Sequence, residues 1–291
     1  MSMKLSRMCS RIPLLLALCG LFVLGAGCLS GSPDDGGEDT ITVAVSILPQ
    51  KAFVEAVGGD RVDVLVMVPP GASPATYEPA TDQLVALASA DMYVAVGSPL
   101  PFETVYLPRL IDANPGLAVV DSGEGIAIVE NDPHTWNAPP NAMIMVDSIA
   151  DALAVLDPAH GQAYLQNRDA YRAELAALDA DIRTMTGSME QKSFMVFHPA
   201  WGYFAREYGL EQIPIEAHGK EPSPGQLAAL IRRAEEEHIS VIFVNPQMST
   251  QSAEVIAQQI GATPVDADPL AENYTANLRT FAGHLAAEGA A

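Results

Sequence analysis

Gln162–Ser188, QAYLQNRDAYRAELAALDADIRTMTGS, decides the fold. It contains no proline, and Gly187, at its end, is its only glycine. Tyr164, Tyr171, Leu175, Leu178, Ile182 and Met185 recur at spacings of 7, 4, 3, 4 and 3. That spacing draws one apolar stripe along a helix. Twenty-seven residues rise about 40 Å as a helix, enough to run past two small domains. The alternative is a broken pair of shorter helices. A continuous helix predicts two lobes held at a nearly fixed angle, because a helical connection is stiffer than a loop.

Outward from this segment, the chain alternates short apolar runs with amphipathic stretches. Before it, the runs are Ile41–Ser46, Val62–Val68, Met92–Gly97 and Leu117–Asp121, with helical stretches at Gln50–Val57, Thr81–Ser89 and Phe102–Asn114. After it come Phe194–His198, Gln212–Ile215, Val241–Asn245 and Thr263–Asp266, with helices at Trp201–Tyr208, Pro224–His238, Gln251–Ile260 and Asn273–Ala287. Continuous apolar runs separated by helices indicate parallel strands buried on both faces. Ser223 before Pro224 supplies a capping hydroxyl and then a proline at the first helical position. The expected class is α/β: two lobes with mainly parallel sheets, 41–160 and 191–291, joined by one long helix over 161–190.

The start of the chain follows different rules. Lys4, Arg7 and Arg11 precede an apolar stretch from Ile12 to Leu24, broken by Pro13 and Gly20. Gly25-Ala26-Gly27 then leads into Cys28. A basic region, a short apolar region and small residues describe an export signal over 1–27. The apolar stretch reaches about 20 Å as a helix, short of a bilayer's hydrocarbon core of about 30 Å. A cysteine directly after the cleavage point makes the signal resemble a lipoprotein signal, with Cys28 carrying the lipid, although Gly25 stands where leucine is usual. A plain secretory signal is the alternative. Of the three cysteines, Cys9 and Cys19 lie inside the signal, so the mature chain keeps Cys28 alone and has no internal disulfide. Residues 28–40, ending in SGSPDDGGEDT, are rich in Gly, Pro and acid and read as a flexible tether. Losing the signal, with its three cations and no acid, takes the net charge from −21 to −24. Such a charge repels nucleic acid and anionic lipid, and it concentrates cations near the surface or suits a salty medium.

Three positions just past expected strand ends carry metal-ligating side chains. His134 lies in Asp132-Pro133-His134-Thr135-Trp136, after a turn set by Asp-Pro. His198 ends the first strand of the second lobe, in Phe197-His198-Pro199-Ala200-Trp201. Asp268 follows the last strand, in Asp266-Ala267-Asp268-Pro269-Leu270. Two imidazoles and a carboxylate suit zinc and its first-row neighbours. One ligand from the first lobe and two from the second would put the metal between them. His160, His218, His238 and His284 fall on helical faces or turns and read as structural. The chain has no HExxH, paired CxxC, Walker loop or nucleophile elbow. A metal-dependent hydrolase would also use two histidines, a carboxylate and an open position, but no general base stands in a recognised motif. A binder of a larger metal chelate, or an adhesin, is a third reading. The leading expectation is a binding protein and not an enzyme.

From residue 41 onward the chain closely resembles the substrate-binding lipoproteins of zinc and manganese ABC transporters. The matching stretches are VSILPQKAFVEAVGGDRVDVLVMVPPGASPATYEP (45–79), DPHTW (132–136), MVFHPAWGYFAREYGL (195–210), IPIEAHGKEPSP (213–224) and VDADPLAENY (265–274). The resemblance implies two α/β lobes joined by a long helix and a metal in the interlobe cleft. It implies His134, His198 and Asp268 as ligands, with Zn2+ or Mn2+ as cargo. A monomer on the outer face of the membrane, held by its lipid, would hand the ion to an ABC permease. Two departures stand out. Pro74-Ala75-Thr76-Tyr77-Glu78-Pro79 has alanine where the family usually has a histidine ligand, and Ser122–Asn131, SGEGIAIVEN, has no histidine where many members have a His-rich loop. Water, a second oxygen of Asp268, Glu78 or Gln247 could complete the site.

Overall fold

The computed structural model describes residues 40–217, 219–248 and 251–289. The expected signal, Cys28, nearly all of the tether and His218 lie outside these residues.

The apolar runs form two four-stranded sheets, and every pairing is parallel. The first takes β1 (Ile41–Val45), β2 (Val62–Val66), β3 (Met92–Ala95) and β4 (Ala118–Asp121) in the order β2-β1-β3-β4. The second takes β5 (Ser193–Val196), β6 (Glu211–Pro214), β7 (Val241–Val244) and β8 (Thr263–Asp266) in the order β6-β5-β7-β8. In each, the chain leaves one central strand to one side and returns on the other. A crevice opens beyond the strand carboxyl ends at such a switch. The expectation of strands buried on both faces holds for β3 and β5. The edge strands β2, β4, β6 and β8 are only half covered, because nothing pairs beyond them.

The first lobe carries α1 (Leu48–Gly58), α2 (Thr81–Leu87), α3 (Pro101–Ala113) and α4 (Pro139–Leu156); the second carries α6 (Gly202–Glu207), α7 (Pro224–Glu236), α8 (Gln251–Ile260) and α9 (Tyr274–Glu288). Helix α4 was not expected. Pro139 and Pro140 open it, where a missing N–H costs nothing. It buries Ala142, Met145, Val146, Ile149, Ala150 and Leu153. At the start of α7, Gln226 Oε1 accepts from both the backbone N–H and the hydroxyl of Ser223.

Helix α5 (Gly161–Gly187) is continuous over 27 residues. Of its apolar stripe, Tyr164, Leu175, Leu178 and Ile182 are fully buried, and Tyr171 and Met185 pack at the margin. It lies against α1 and α4 of the first lobe and α9 of the second. One apolar core therefore runs from Val43 in β1 through α5 to Leu285 in α9. A smaller core, including Met195, Ile242 and Ile256, fills the far side of the second sheet. Among the described residues, no helix is long and apolar enough to cross a membrane.

Candidate metal centre

His134 and His198 meet in the cleft between the lobes. Their Nε2 atoms stand 3.3 Å apart, and the rings cross at 81° with centroids 5.1 Å apart. Each ring is held from behind by a carboxylate. Asp132 Oδ1 accepts from both the backbone N–H of His134, at 2.9 Å, and its Nδ1, at 2.7 Å. Glu216 Oε1, on a side chain 2 % exposed, accepts from His198 Nδ1 at 2.5 Å. A carboxylate at Nδ1 selects the tautomer with its proton there and leaves Nε2 as a lone pair. Two lone pairs thus converge on one point. Two nitrogens about 2.05 Å from one tetrahedral zinc stand about 3.3 Å apart. Burial lowers the pKa of His134, outweighing the opposite pull of Asp132, so this imidazole is neutral at pH 7, the form that binds metal.

The sequence positions these rings locally. His198 lies two residues past β5, at the switch in strand order. Its loop is anchored by Trp201, whose ring stacks on Phe281 at 3.8 Å and whose backbone N–H donates to Gln212 Oε1. Gly202 leaves room for the Asp132 carboxylate. A Cβ there would lie 2.6 Å from Asp132 Oδ2 and push away the carboxylate that holds His134. On the other side, Ser98 donates to the Pro133 carbonyl at 2.7 Å.

Trp136 ties the lobes together beside the two rings. It is fully buried and meets His134 edge-on, with centroids 5.3 Å apart. Its indole N–H donates to the Pro269 carbonyl at 2.8 Å, and its own carbonyl accepts from the Tyr274 hydroxyl at 2.7 Å. Asn137 adds a bond from Nδ2 to the Ala200 carbonyl at 2.9 Å. The loops bearing His134, His198 and Asp268 are thereby cross-linked.

Asp268 sits on this frame, half-buried just past β8. Its Oδ1 accepts from Gln247 Nε2 at 2.7 Å and from the Leu270 N–H at 2.8 Å. Among the described residues, no three His, Cys, Asp or Glu side chains gather into a group able to hold an ion. The structure therefore joins two of the three expected ligands and leaves the third engaged with Gln247. Of the side chains considered for completing the site, Gln247 lines the cleft, whereas Glu78 lines a separate pocket with Tyr106 and Arg109. Ala75 lines the cleft. Of the histidines read as structural, His160 pairs with Asp157 at the start of α5, at 2.7 Å.

The sequence reading missed Asp132 as more than a turn residue and gave no role to Glu216. Asp132 was open to discovery, since it stands two residues from a candidate ligand. Glu216 lies 18 residues from His198, and only the pairing of β5 with β6 brings them together.

The sequence model of the family described as "ZnuA: Zinc-uptake complex component A periplasmic" matches residues 43–288. The chain belongs to this family. Among its relatives, the high-affinity zinc uptake system protein ZnuA of Bacillus subtilis (strain 168) is 30% identical over 276 residues, covering 85% of this chain and 84% of that protein. The manganese-binding lipoprotein MntA of Halalkalibacterium halodurans is 27% identical over 253 residues, covering 82% of each. A crystal structure of a ZnuA deletion mutant with zinc bound superposes with a TM-score of 0.83 at 41% identity, covering 87% of this chain and 99% of that one. Two α/β lobes on a long helix are thus this family's architecture.

Proposed function

We propose that this chain is the extracytoplasmic substrate-binding component of an ABC importer for a divalent transition metal, with zinc as its cargo. One observation carries the reading: two imidazole Nε2 atoms converge at 3.3 Å in an interlobe cleft, each ring turned by a carboxylate at Nδ1. The spacing suits two corners of a zinc tetrahedron, and imidazole favours zinc over manganese. His134 and His198 are the first two ligands and Asp268 the third, once it exchanges Gln247 for the ion. One relative is named as a zinc uptake system protein and another as a manganese-binding lipoprotein, which supports this class of cargo. Manganese is the second reading, favoured if oxygen donors from Asp268, Gln247 or water complete the site.

In this proposal the export signal covers 1–27, and the lipidated Cys28 and the 28–40 tether hold the protein at the outer face of the membrane. The lobes span 41–160 and 191–291, with the helix over 161–190 between them. A monomer then delivers its ion to the permease. The role is carriage, since the two carboxylates nearest the imidazoles are engaged in orienting them and not free as general bases.

Zinc titration of metal-stripped protein, in competition with a chelator of known affinity, tests the site. His134→Ala and His198→Ala should each weaken binding at least tenfold, about 1.4 kcal/mol. Wild-type affinity in both variants would remove the assignment.

A further inference from the structure

The cleft is larger than an ion requires. Its volume is about 590 Å³, within the roughly 300–1,000 Å³ of clefts that take small organic molecules. A single water occupies only about 30 Å³ of liquid. The Trp136–Pro269, Tyr274–Trp136 and Asn137–Ala200 bonds and the shared apolar core tie the two lobes together beside the cleft.

Two features of the lining indicate what fills it. Ala75 presents a methyl group to the cleft, so the first lobe offers no donor at that position. Arg206 also lines the cleft. Among the described residues its partner is the Tyr203 ring, 5.2 Å below the guanidinium, and not a carboxylate. Stacking on an aromatic face leaves the N–H edge available to an anion. The acids on the lining are otherwise accounted for: Asp132 and Glu216 are bound by the imidazoles, and Glu130 is exposed in a turn with φ 55°.

We propose that the cleft takes its metal as a mixed complex with a small chelator of the amino-acid class. The chelator's nitrogen completes the coordination that the Ala75 methyl leaves open, and its carboxylate pairs with Arg206. The inference rests on the cleft being the metal site. It names the cargo as a complex. Loading exchanges coordinated water or spare chelator atoms for His134 and His198. No covalent bond is made or broken.

Native mass spectrometry of metal-stripped protein with zinc, then with zinc plus L-histidine or L-cysteine, tests it. Wild type should give a 1:1:1 complex of protein, zinc and amino acid. Ala75→His should give protein with zinc alone, since it supplies its own donor. Arg206→Gln should hold the amino acid about tenfold less tightly, the scale of a lost charge-assisted pair, with an unchanged melting temperature as the check on folding. Wild type that saturates with zinc and retains neither amino acid would overturn the inference. So would equal retention by Ala75→His or by Arg206→Gln. Wild type that binds no zinc under any of these conditions would instead remove the metal site itself, a separate failure.

Discussion

Replacing Glu216 by glutamine probes the orientation of His198, a proposed ligand, without touching its ring. Glutamine is nearly isosteric and its Oε1 can still accept from His198 Nδ1, so the ring stays in place and only the charge is lost. An ion shared by the two Nε2 atoms lies about 6 to 7 Å from this carboxylate across the imidazole. A −1 charge acting on a +2 ion at that distance contributes about 1 kcal/mol at the permittivity of water and about 5 kcal/mol at an effective value of 20. Glu216 is 2 % exposed, so solvent screens it poorly, yet the His198 N–H already absorbs part of its field. An affinity loss of about 10- to 100-fold, or 1.4–2.7 kcal/mol, follows from such partners of metal-binding histidines. Chelator competition measures the loss, and 15N chemical shifts of the His198 ring show whether the Nδ1–H tautomer becomes less dominant. The variant should be no less stable without metal, because a buried charge has been removed. Zinc affinity within twofold of wild type, with unchanged ring shifts, would show that the carboxylate neither orients nor activates His198.

Trp136→Phe removes the indole N–H that reaches across the cleft and leaves the Pro269 carbonyl without that donor. It should cost about 1–3 kcal/mol in urea unfolding and weaken zinc binding, since the Asp268 loop loses its anchor; full stability would show that this tie carries no load. Burial pushes the pKa of Glu103 up from its ordinary 4.5 to about 7, against hydrogen bonds from Ser46 and the Val96 N–H. The native state therefore keeps a proton that the unfolded chain has lost. This contribution is fully present below pH 4.5 and is lost as pH rises through 7, for a total of about 3 kcal/mol. Glu103→Gln should gain on wild type by about that amount between pH 4 and pH 8, and a stability difference that stays flat over that range would refute the buried charge.

Legibility followed the range of the interactions. Helix α5 was readable because its burial pattern is periodic within one segment. Its six stripe residues are set by helix geometry alone, and four of them are fully buried. The strands were readable because β-branched and aromatic runs mark buried sheet. Helix α4 was overlooked, although Pro139-Pro140 suits the first helical positions. The pair acts as a helix start only where the following residues find an apolar surface, here α5. The two imidazoles stood out by residue type and by their places after strand ends. Those places put them on facing lobes around one metal, and the resemblance to metal-binding lipoproteins implied the same pair. His134, His198 and Asp268 all remain proposed ligands, and the Asp268 carboxylate is bonded to Gln247.

The amino-acid sequence by itself determined the α/β character, the stiff helical connection, the donor types and the absence of an imidazole at Ala75. Each is a property of single residues or of a periodicity within one segment. Tertiary structure alone decided that His134 and His198 share a point, that Asp132 and Glu216 turn both rings toward it, and that Trp136 bridges the lobes beside them. These contacts join residues up to 138 positions apart, and they exist only once two sheets and a common core have placed their loops face to face. The size of the cleft belongs to this second kind. No residue encodes a volume; it is what remains once the surrounding walls are in place.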